Sequence, residues 1–283
     1  MPFLWRAALA AALLCTVAAP RGAQAQIDYR NLDDDRPTHV EDAYPLERFA
    51  FELITPYRLV RLGAGRTLQA FIPEIEYGLL RNAQIGVKLP VAALDEAGST
   101  TWGVSGARLF ALYNLNTEGP VLPALSVRSD VVFPVGSRGG DATRGSLKVL
   151  ATRSFGRSRL HLNAEYGFGD GQTALVEGTD RWWYGAAVDR TLFRRSTLVV
   201  AEVYALREAD GTPVEVNASV GVRYQWTPTI VLDLGVARGL RNEFGPDFEF
   251  TFGLSRAFAL PWLMPRSRTP TPVPSGGDHD HAR

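Results

Sequence analysis

One segment near the end of the chain alternates apolar and polar residues with a strict period of two. In VEVNASVGVRYQW (214–226) the apolar positions are Val214, Val216, Ala218, Val220, Val222 and Tyr224, and the positions between them carry Glu215, Asn217, Ser219, Gly221, Arg223 and Gln225. Side chains of a β-strand alternate between two faces, so this segment predicts a strand with one apolar and one polar face. A soluble sheet would pack the apolar face inward, whereas a membrane barrel would turn it to lipid and line its lumen with the polar face.

Eleven further runs have the composition of strands and are separated by turn residues. They are 48–62, 67–80, 83–91, 102–115, 121–135, 146–154, 159–168, 181–190, 197–206, 229–237 and 248–258. Two of them alternate imperfectly: 102–115 is irregular at its start, and 197–206 places Glu202 and Tyr204 on one side. No long window shows the helical period of 3.6 residues, which favours an all-β fold.

The connections between the runs differ in length at the two ends of the predicted sheet. Every second connection is short, at 81–82, 116–120, 155–157, 193–196 and 226–228. The others are mostly longer and rich in Gly and Asp, such as ALDEAGSTT (93–101) and GDGQTALVEGTD (169–180). Short turns at one end and long loops at the other are typical of outer-membrane proteins. The sequence therefore predicts a transmembrane antiparallel up-and-down β-barrel of about 12 strands over residues 46–258.

A soluble β fold is the alternative to a membrane barrel. A soluble barrel of about twelve strands with an apolar inside would enclose a very large void or a bulky ligand. A soluble sandwich would also give no reason for sorting its loops by length. Aromatic residues lie on the apolar face near both strand ends, which matches the two interfacial girdles of membrane barrels. The nine residues are Tyr77, Tyr113, Tyr224, Phe258, Phe133, Tyr166, Phe168, Trp182 and Phe248.

The two ends of the chain have compositions unlike the barrel. Residues 1–25 combine a basic Arg6, an apolar run and Ala23-Gln24-Ala25, which predicts a cleaved secretory signal peptide. The single cysteine, Cys15, lies within it. The whole chain has net charge 0, and the leader carries two arginines and no acid, so the remainder has net charge −2 and no basic excess for nucleic acid. The Pro-rich tail, 259–283, predicts a disordered segment.

Residues 26–45, QIDYRNLDDDRPTHVEDAYP, form an acidic stretch before the first strand. We predict a solvated periplasmic segment or a short plug in the lower mouth of the barrel. Several of its residues could be taken for a metal cluster, namely Asp33, Asp34, Asp35, His39, Glu41 and Asp42. Their spacing matches neither an EF-hand nor a zinc site, so we predict no metal and no cofactor.

Two prolines interrupt the first predicted hairpin. Pro56 and Pro73 each remove a donor from the hydrogen-bond ladder. If the turn is centred in 63–66, the two prolines face each other, and the hairpin bends there and projects beyond the apolar band.

Two quoted segments resemble a known family. RPTHVEDAYPLERFAFEL (36–53) and ALYNLNTE (111–118), within the twelve-strand pattern, resemble outer-membrane transporters grouped as "MetA-pathway of phenol degradation". The resemblance implies an outer-membrane barrel of a Gram-negative cell that transports a small solute, with aromatic compounds as one class of solute it suggests. It brings no catalytic residues, and the tail lies outside it.

Alternation also assigns a lumen-facing set of polar residues, which we take as a candidate solute path: Lys88, Arg108, Arg128, Asp130, Lys148, Arg159, His161, Glu165, Glu215, Asn217 and Arg223. Charges lining a pore set its selectivity, whereas charges filling a narrow barrel pair with one another. The sequence thus favours a channel for passive uptake of small solutes, with outer-membrane lipid as its surroundings. A closed structural or binding barrel is the alternative.

The third hypothesis, besides a channel and a closed barrel, is an outer-membrane enzyme. The chain contains no G-x-S-x-G or H-E-x-x-H motif. A hydrolase would need His161 beside a serine such as Ser126 or Ser219, which spacing does not establish. We therefore expect a protein that is not an enzyme.

Overall fold

The computed structural model describes residues 26–96, 99–169, 181–192, 196–208, 213–241 and 246–264. The predicted signal peptide, 1–25, and all of the predicted tail beyond Met264 lie outside the described residues. The strands are β1 (Ala50–Ile54), β2 (Tyr57–Leu62), β3 (Thr67–Phe71), β4 (Glu74–Leu80), β5 (Ala83–Lys88), β6 (Val91–Glu96), β7 (Ser99–Val104), β8 (Ala107–Asn116), β9 (Ala124–Phe133), β10 (Arg144–Phe155), β11 (Ser158–Phe168), β12 (Arg181–Thr191), β13 (Thr197–Glu208), β14 (Glu215–Thr227), β15 (Ile230–Arg241) and β16 (Pro246–Ala259). Two single 3₁₀ turns, Gly63–Gly65 and Pro261–Leu263, complete the described elements.

Twelve of these strands close into an antiparallel barrel. Around the barrel the order is β1, β4, β5 and then β8 to β16 in sequence, and β16 pairs with β1 to close the ring. The predicted fold class, an all-β barrel of about twelve strands, is confirmed. None of the described residues forms a helix with the length and apolar character needed to cross a bilayer.

The strictly alternating segment 214–226 shows which face of the barrel wall meets lipid. In β14 the side chains of Asn217 and Arg223 are completely buried, whereas Val220 is 48% exposed and Tyr224 is 42% exposed. The polar face therefore points into the barrel and the apolar face points outward. Removing the apolar face from water requires a bilayer outside the barrel, as in outer-membrane proteins.

Aromatic residues on the outer face lie at both ends of the strands. At the short-turn end, Phe51 stacks between Tyr77 and Phe258, with ring centroids 4.5 and 5.3 Å away. At the long-loop end, Trp182 packs against Tyr166 at 4.6 Å. Such rings suit the interface between hydrocarbon and headgroups.

Four long strands break at one level of the barrel, which separates β1 from β2, β3 from β4, β5 from β6 and β7 from β8. At three of the breaks a proline carbonyl accepts the next hydrogen bond of the ladder: Ile72 N to Pro56 O (3.0 Å), Leu89 N to Pro73 O (2.9 Å) and Ser105 N to Pro90 O (2.8 Å). The fourth break is at Gly106, whose φ of +85° favours glycine. The expected bend of the first hairpin is present, and it extends across the next hairpin.

Two details of the predicted strands were wrong. Tyr57 pairs with Phe71, so the register places Pro56 opposite Ile72 rather than opposite Pro73. Most of ALDEAGSTT belongs to β6 and β7, which pair from Val91 with Val104 to Glu96 with Ser99. The glycine and acidic residues of this segment are compatible with a strand because the hairpin lies beyond the strand breaks, at the long-loop end of the barrel.

Beyond the breaks, β2, β3 and β6 carry apolar side chains on the inner face. A buried cluster contains four of them, Val60, Leu68, Ala70 and Ala92, together with Ile72 at the break between β3 and β4. Below the breaks the same inner face is charged, with Glu52, Glu74, Glu76 and Lys88. On this part of the wall the inner face therefore changes from charged to mostly apolar toward the long-loop end.

Candidate functional site

The lumen is occupied by the residues that precede β1. This plug, residues 26–45, starts at the short-turn end, where Ile27 N donates to Pro228 O at 3.0 Å. Its tip reaches the level of the strand breaks, where Asp35 Oδ1 lies 2.9 Å from Arg58 of β2. It then returns to the short-turn end, where Ala43 O accepts from Ser126 at 2.6 Å. The plug is a loop inserted deep into the barrel, well past the lower mouth.

Glycines in the wall make room for the plug backbone. A Cβ atom on Gly235 would lie 1.9 Å from Pro37 O, and one on Gly221 would lie 2.6 Å from Pro37 Cβ. A Cβ on Gly185 would lie 2.6 Å from Val40 Cγ2. Since real Cβ atoms do not approach other atoms so closely, a larger residue at these positions requires the plug or a neighbouring side chain to shift; at Gly185 the ring of Trp183, at 2.3 Å, would also have to move.

Four wall cations converge on one carboxylate of the plug. Asp34 lies 2.7 Å from Lys148 Nζ and 3.2 Å from Lys88 Nζ. The guanidinium groups of Arg128 and Arg108 are 3.5 and 3.7 Å away. Lys88, Lys148 and Arg128 are almost completely buried, so solvent screens these pairs little.

Further ion pairs hold the rest of the plug. Arg36, which is completely buried, lies 2.7 Å from Asp233 of the wall and 2.6 Å from Asp33. Asp42 lies 3.0 Å from Arg159. At the tip, His39 Nε2 lies 3.3 Å from Glu249. Ion pairs between plug and wall therefore run from Asp33 to Asp42.

Wall side chains also satisfy the plug backbone. Asn163 accepts from Glu41 N at 2.8 Å and donates to Glu41 O at 2.9 Å. Thr152 accepts from Ala43 N at 3.0 Å. Because buried peptide groups need partners, these side chains replace the water that an open lumen would supply.

Apolar contacts support both legs of the plug. Leu32 and Val40 belong to one buried cluster with Leu198 and Val200 of β13. Ala43 packs in a second cluster with Leu112, Ala124 and Leu150 of the wall. The irregular pattern of 197–206 is explained by these contacts, because Leu198 and Val200 face the plug inside the barrel.

The plug leaves the lumen beside a short turn. The Tyr44 hydroxyl lies 3.3 Å from Glu118 Oε2, and the Ser154 amide donates to Glu118 Oε1 at 2.8 Å. Burial, together with Glu118, raises the pKa of Tyr44 to about 12. Desolvation opposes the charge of Glu118, but the Ser154 hydrogen bonds outweigh it and lower the pKa of this carboxyl.

The eleven residues assigned to the solute path lie on inner-face positions of the wall. Eight of them are buried: Lys88, Arg128, Asp130, Lys148, Arg159, His161, Asn217 and Arg223. Arg108, Glu165 and Glu215 are partly buried. Most of these side chains contact the plug or one another. Alternation located their face, but the plug residues that they bind could not be read from spacing.

His161 is bonded to neither of the serines considered for catalysis. Its Nδ1 lies 3.0 Å from Thr152 Oγ1, and its Nε2 lies 3.0 Å from Asp189 Oδ2. Ser126 instead donates to Ala43 O, and Ser219 donates to Glu202. The Thr152 hydroxyl is covered by the plug, because it accepts the Ala43 amide.

The acidic residues of the plug are spread over different partners. Asp33, Asp34, Asp35 and Asp42 each pair with wall or plug arginines or lysines. Among the described residues, one group has oxygens close enough to hold a metal ion: Asp33, Glu52 and Glu76, within 4.8 Å of one another. The guanidinium of Arg36 already contacts Asp33 and Glu52.

One cavity lies in the interior near the long-loop end. Its volume is about 30 Å³, room for about one water molecule. Charged residues of both signs line it: Arg108, Asp130, Arg144, Glu165 and Arg181. Phe168 adds an aromatic ring to the lining.

No protein-family model and no curated protein matches the chain. Solved structures do resemble it. An outer membrane channel from Pseudomonas putida F1 has a TM-score of 0.59 at 14% identity, covering 81% of this chain and 100% of that one. A KdgM porin in complex with disordered oligogalacturonate has a TM-score of 0.52 at 11% identity, covering 73% and 99%.

The translocator domain of the autotransporter NalP from Neisseria meningitidis is also similar, with a TM-score of 0.51 at 10% identity over 74% of this chain and 88% of that one. Identities this low establish the fold alone, and channels and translocators share it. The chain thus has the barrel fold of outer-membrane proteins.

Proposed function

We propose that the protein is an outer-membrane channel for the passive uptake of small solutes, which the plug closes and opens. The observation that carries this proposal is the polar character of the plug contacts. Asp34, Arg36 and Asp42 meet the wall through charge pairs. Charged groups can exchange a protein partner for water, so such a plug can leave a lumen that then fills with water.

The size of the barrel supports passage. Eight strands leave an interior that side chains can fill, and a wider barrel leaves room for a ligand or a channel. Here twelve strands surround the inserted loop. Displacing the plug would leave an open, polar lumen. Such a lumen favours diffusion of small solutes over a role as a closed binding protein.

Aromatic or hydrophobic solutes form the proposed cargo class. Beyond the strand breaks, one part of the inner face carries an apolar cluster that includes Val60, Leu68 and Ile72. An apolar solute would be attracted to this cluster before it reaches the charges around the plug. The sequence resemblance to the phenol-degradation transporters also favours an aromatic solute.

A single glycine substitution tests the proposal. Gly235→Ala places a methyl group against Pro37 O, where a Cβ would lie 1.9 Å away. Overpacking costs about 1–3 kcal/mol, so plug release is expected to become about five- to a hundredfold more favourable. We expect a matching rise in the open fraction of single channels in planar bilayers.

Gly167→Ala is the matched control, because its Cβ would meet nothing closer than Arg181 Cγ at 3.7 Å. This variant should conduct as the wild type does. If folded wild-type protein and Gly235→Ala both give no conductance and no solute flux, the channel proposal is wrong.

A further inference from the structure

The strongest concentration of charge in the lumen surrounds Asp34. Within 4 Å of its carboxylate lie four cations of the wall, Lys88, Arg108, Arg128 and Lys148. They come from β5, β8, β9 and β10, which are consecutive strands of the barrel. The wall therefore presents a preformed site for one carboxylate, and a plug residue fills it.

The charges of this site do not balance without the plug. In the part of the chain that the structure describes, three wall carboxylates lie within 4 Å of the four cations: Glu74, Asp130 and Glu165. The plug adds three carboxylates: Asp34, Glu41, which lies 3.0 Å from Arg128, and Asp35, which lies 4.0 Å from Lys88. Withdrawing the plug leaves the wall with an excess of positive charge, which favours an anion in its place.

Aromatic rings lie beside the same cations. The guanidinium carbon of Arg128 is 3.9 Å from the centroid of the Phe110 ring. Lys148 Nζ is 5.7 Å from the centroid of the Trp183 ring. Both rings are buried on the inner face. A ligand with a carboxylate next to an aromatic ring could bind the cations and pack on these rings.

We propose that Lys88, Arg108, Arg128 and Lys148 form a binding site for small organic carboxylates, aromatic ones in particular, and that such an anion replaces Asp34 and thereby loosens the plug. The inference rests on the proposed channel function and names its substrate class. A ligand shifts the plug only by binding the released state more tightly than the plugged state. Competition for one set of cations supplies this difference.

The test measures exposure of the plug rather than flux. Thr38 lies in the plug and is 2% exposed, and the chain has one cysteine, Cys15, in the predicted leader. In the full mature chain carrying Thr38→Cys, a water-soluble maleimide should label the plug slowly. Sodium benzoate is expected to raise the labelling rate about fivefold, whereas uncharged benzamide should leave it unchanged.

Two variants separate binding of the anion from simple loosening of the plug. Lys148→Gln removes one of the four cations, and Arg58→Gln removes a cation that holds Asp35 instead. Both should raise the rate without ligand. The benzoate effect should persist in Arg58→Gln and disappear in Lys148→Gln. Asp34→Asn removes the competing carboxylate, so benzoate should raise the labelling rate less than it does in the parent protein.

Three results would overturn the inference: no effect of benzoate in any background, an equal effect of benzamide, or an undiminished benzoate effect in Lys148→Gln. Failure of the channel proposal would differ from these results. In that case benzoate would speed labelling while reconstituted protein passed no solute.

Discussion

Deleting residues 28–44 is expected to raise single-channel conductance roughly tenfold or more, because the plug fills the lumen of a barrel wider than its own side chains can fill. The barrel should survive the deletion. Its strands pair around a closed ring, and the wall charges that faced Asp34, Asp42 and Arg36 would meet water. Planar-bilayer recording measures the conductance, and a folding assay by gel mobility with and without heating verifies the barrel.

A length-matched control separates loss of contacts from loss of chain. Replacing 28–44 by Gly-Ser repeats keeps the segment but removes its charge pairs and its apolar anchors, such as Leu32 and Val40. This variant should also conduct well. A deletion variant that forms a stable barrel and conducts no better than wild type would show that wall side chains close the lumen.

The second large effect is expected at the lipid-facing surface. Val220 lies near the middle of β14 on the outer face, 48% exposed. Val220→Arg should destabilise the barrel by about 2–4 kcal/mol, because a charge at the middle of the bilayer loses its hydration. The free energy of unfolding in lipid vesicles, measured by urea titration, tests this value.

Val220→Leu is the control for the change in size, and it should be nearly neutral. Tyr224→Arg tests depth on the same face, because Tyr224 lies closer to the short-turn end of the strand. Its cost should be well below that of Val220→Arg, since the penalty falls toward the interface. Equal stability of Val220→Arg and Val220→Leu in vesicles would contradict lipid contact at this face.

The period-two alternation was enough to predict the wall of the barrel. In 214–226 it separated Asn217 and Arg223 from Val220 and Tyr224, as the burial of these residues confirms. Strand pairing is local between neighbours in an up-and-down barrel, so each hairpin follows from its own turn. This is why the strand count could be predicted without knowledge of distant contacts.

The path of the plug could not be predicted in the same way. Arg36 contacts Asp233, which is 197 residues away in the chain, and no spacing rule links such positions. One signal was nevertheless present in the sequence. Leu198 and Val200 are apolar at inner-face positions, and apolar residues inside a polar lumen require an apolar partner, here Leu32 and Val40.

The strand breaks were only partly predictable. Pro56 and Pro73 indicated the first bend, because proline removes a ladder donor. Pro90 was present at the end of the predicted third strand, and the irregular start of 102–115 reflects the break at Gly106. The register of the first hairpin was off by one residue, since the turn between Leu62 and Thr67 does not lie symmetrically about the assumed centre.

A disulfide between plug and wall tests the central claim most directly, namely that residues 26–45 occupy the lumen and must move for solutes to pass. A Cβ on Gly185 would lie 2.6 Å from Val40 Cγ2. Because Cγ2 is one bond from Val40 Cβ, the two Cβ atoms are within reach of a disulfide, and Val40→Cys removes a methyl group that opposes a side chain at Gly185, so that only the Trp183 ring has to shift. In the variant with Val40→Cys and Gly185→Cys, oxidation is expected to form this bond and to reduce solute flux into proteoliposomes to that of protein-free vesicles. Reduction should restore it. Undiminished flux through the oxidised, cross-linked protein, or failure of the two cysteines to cross-link in the folded barrel, would contradict the account.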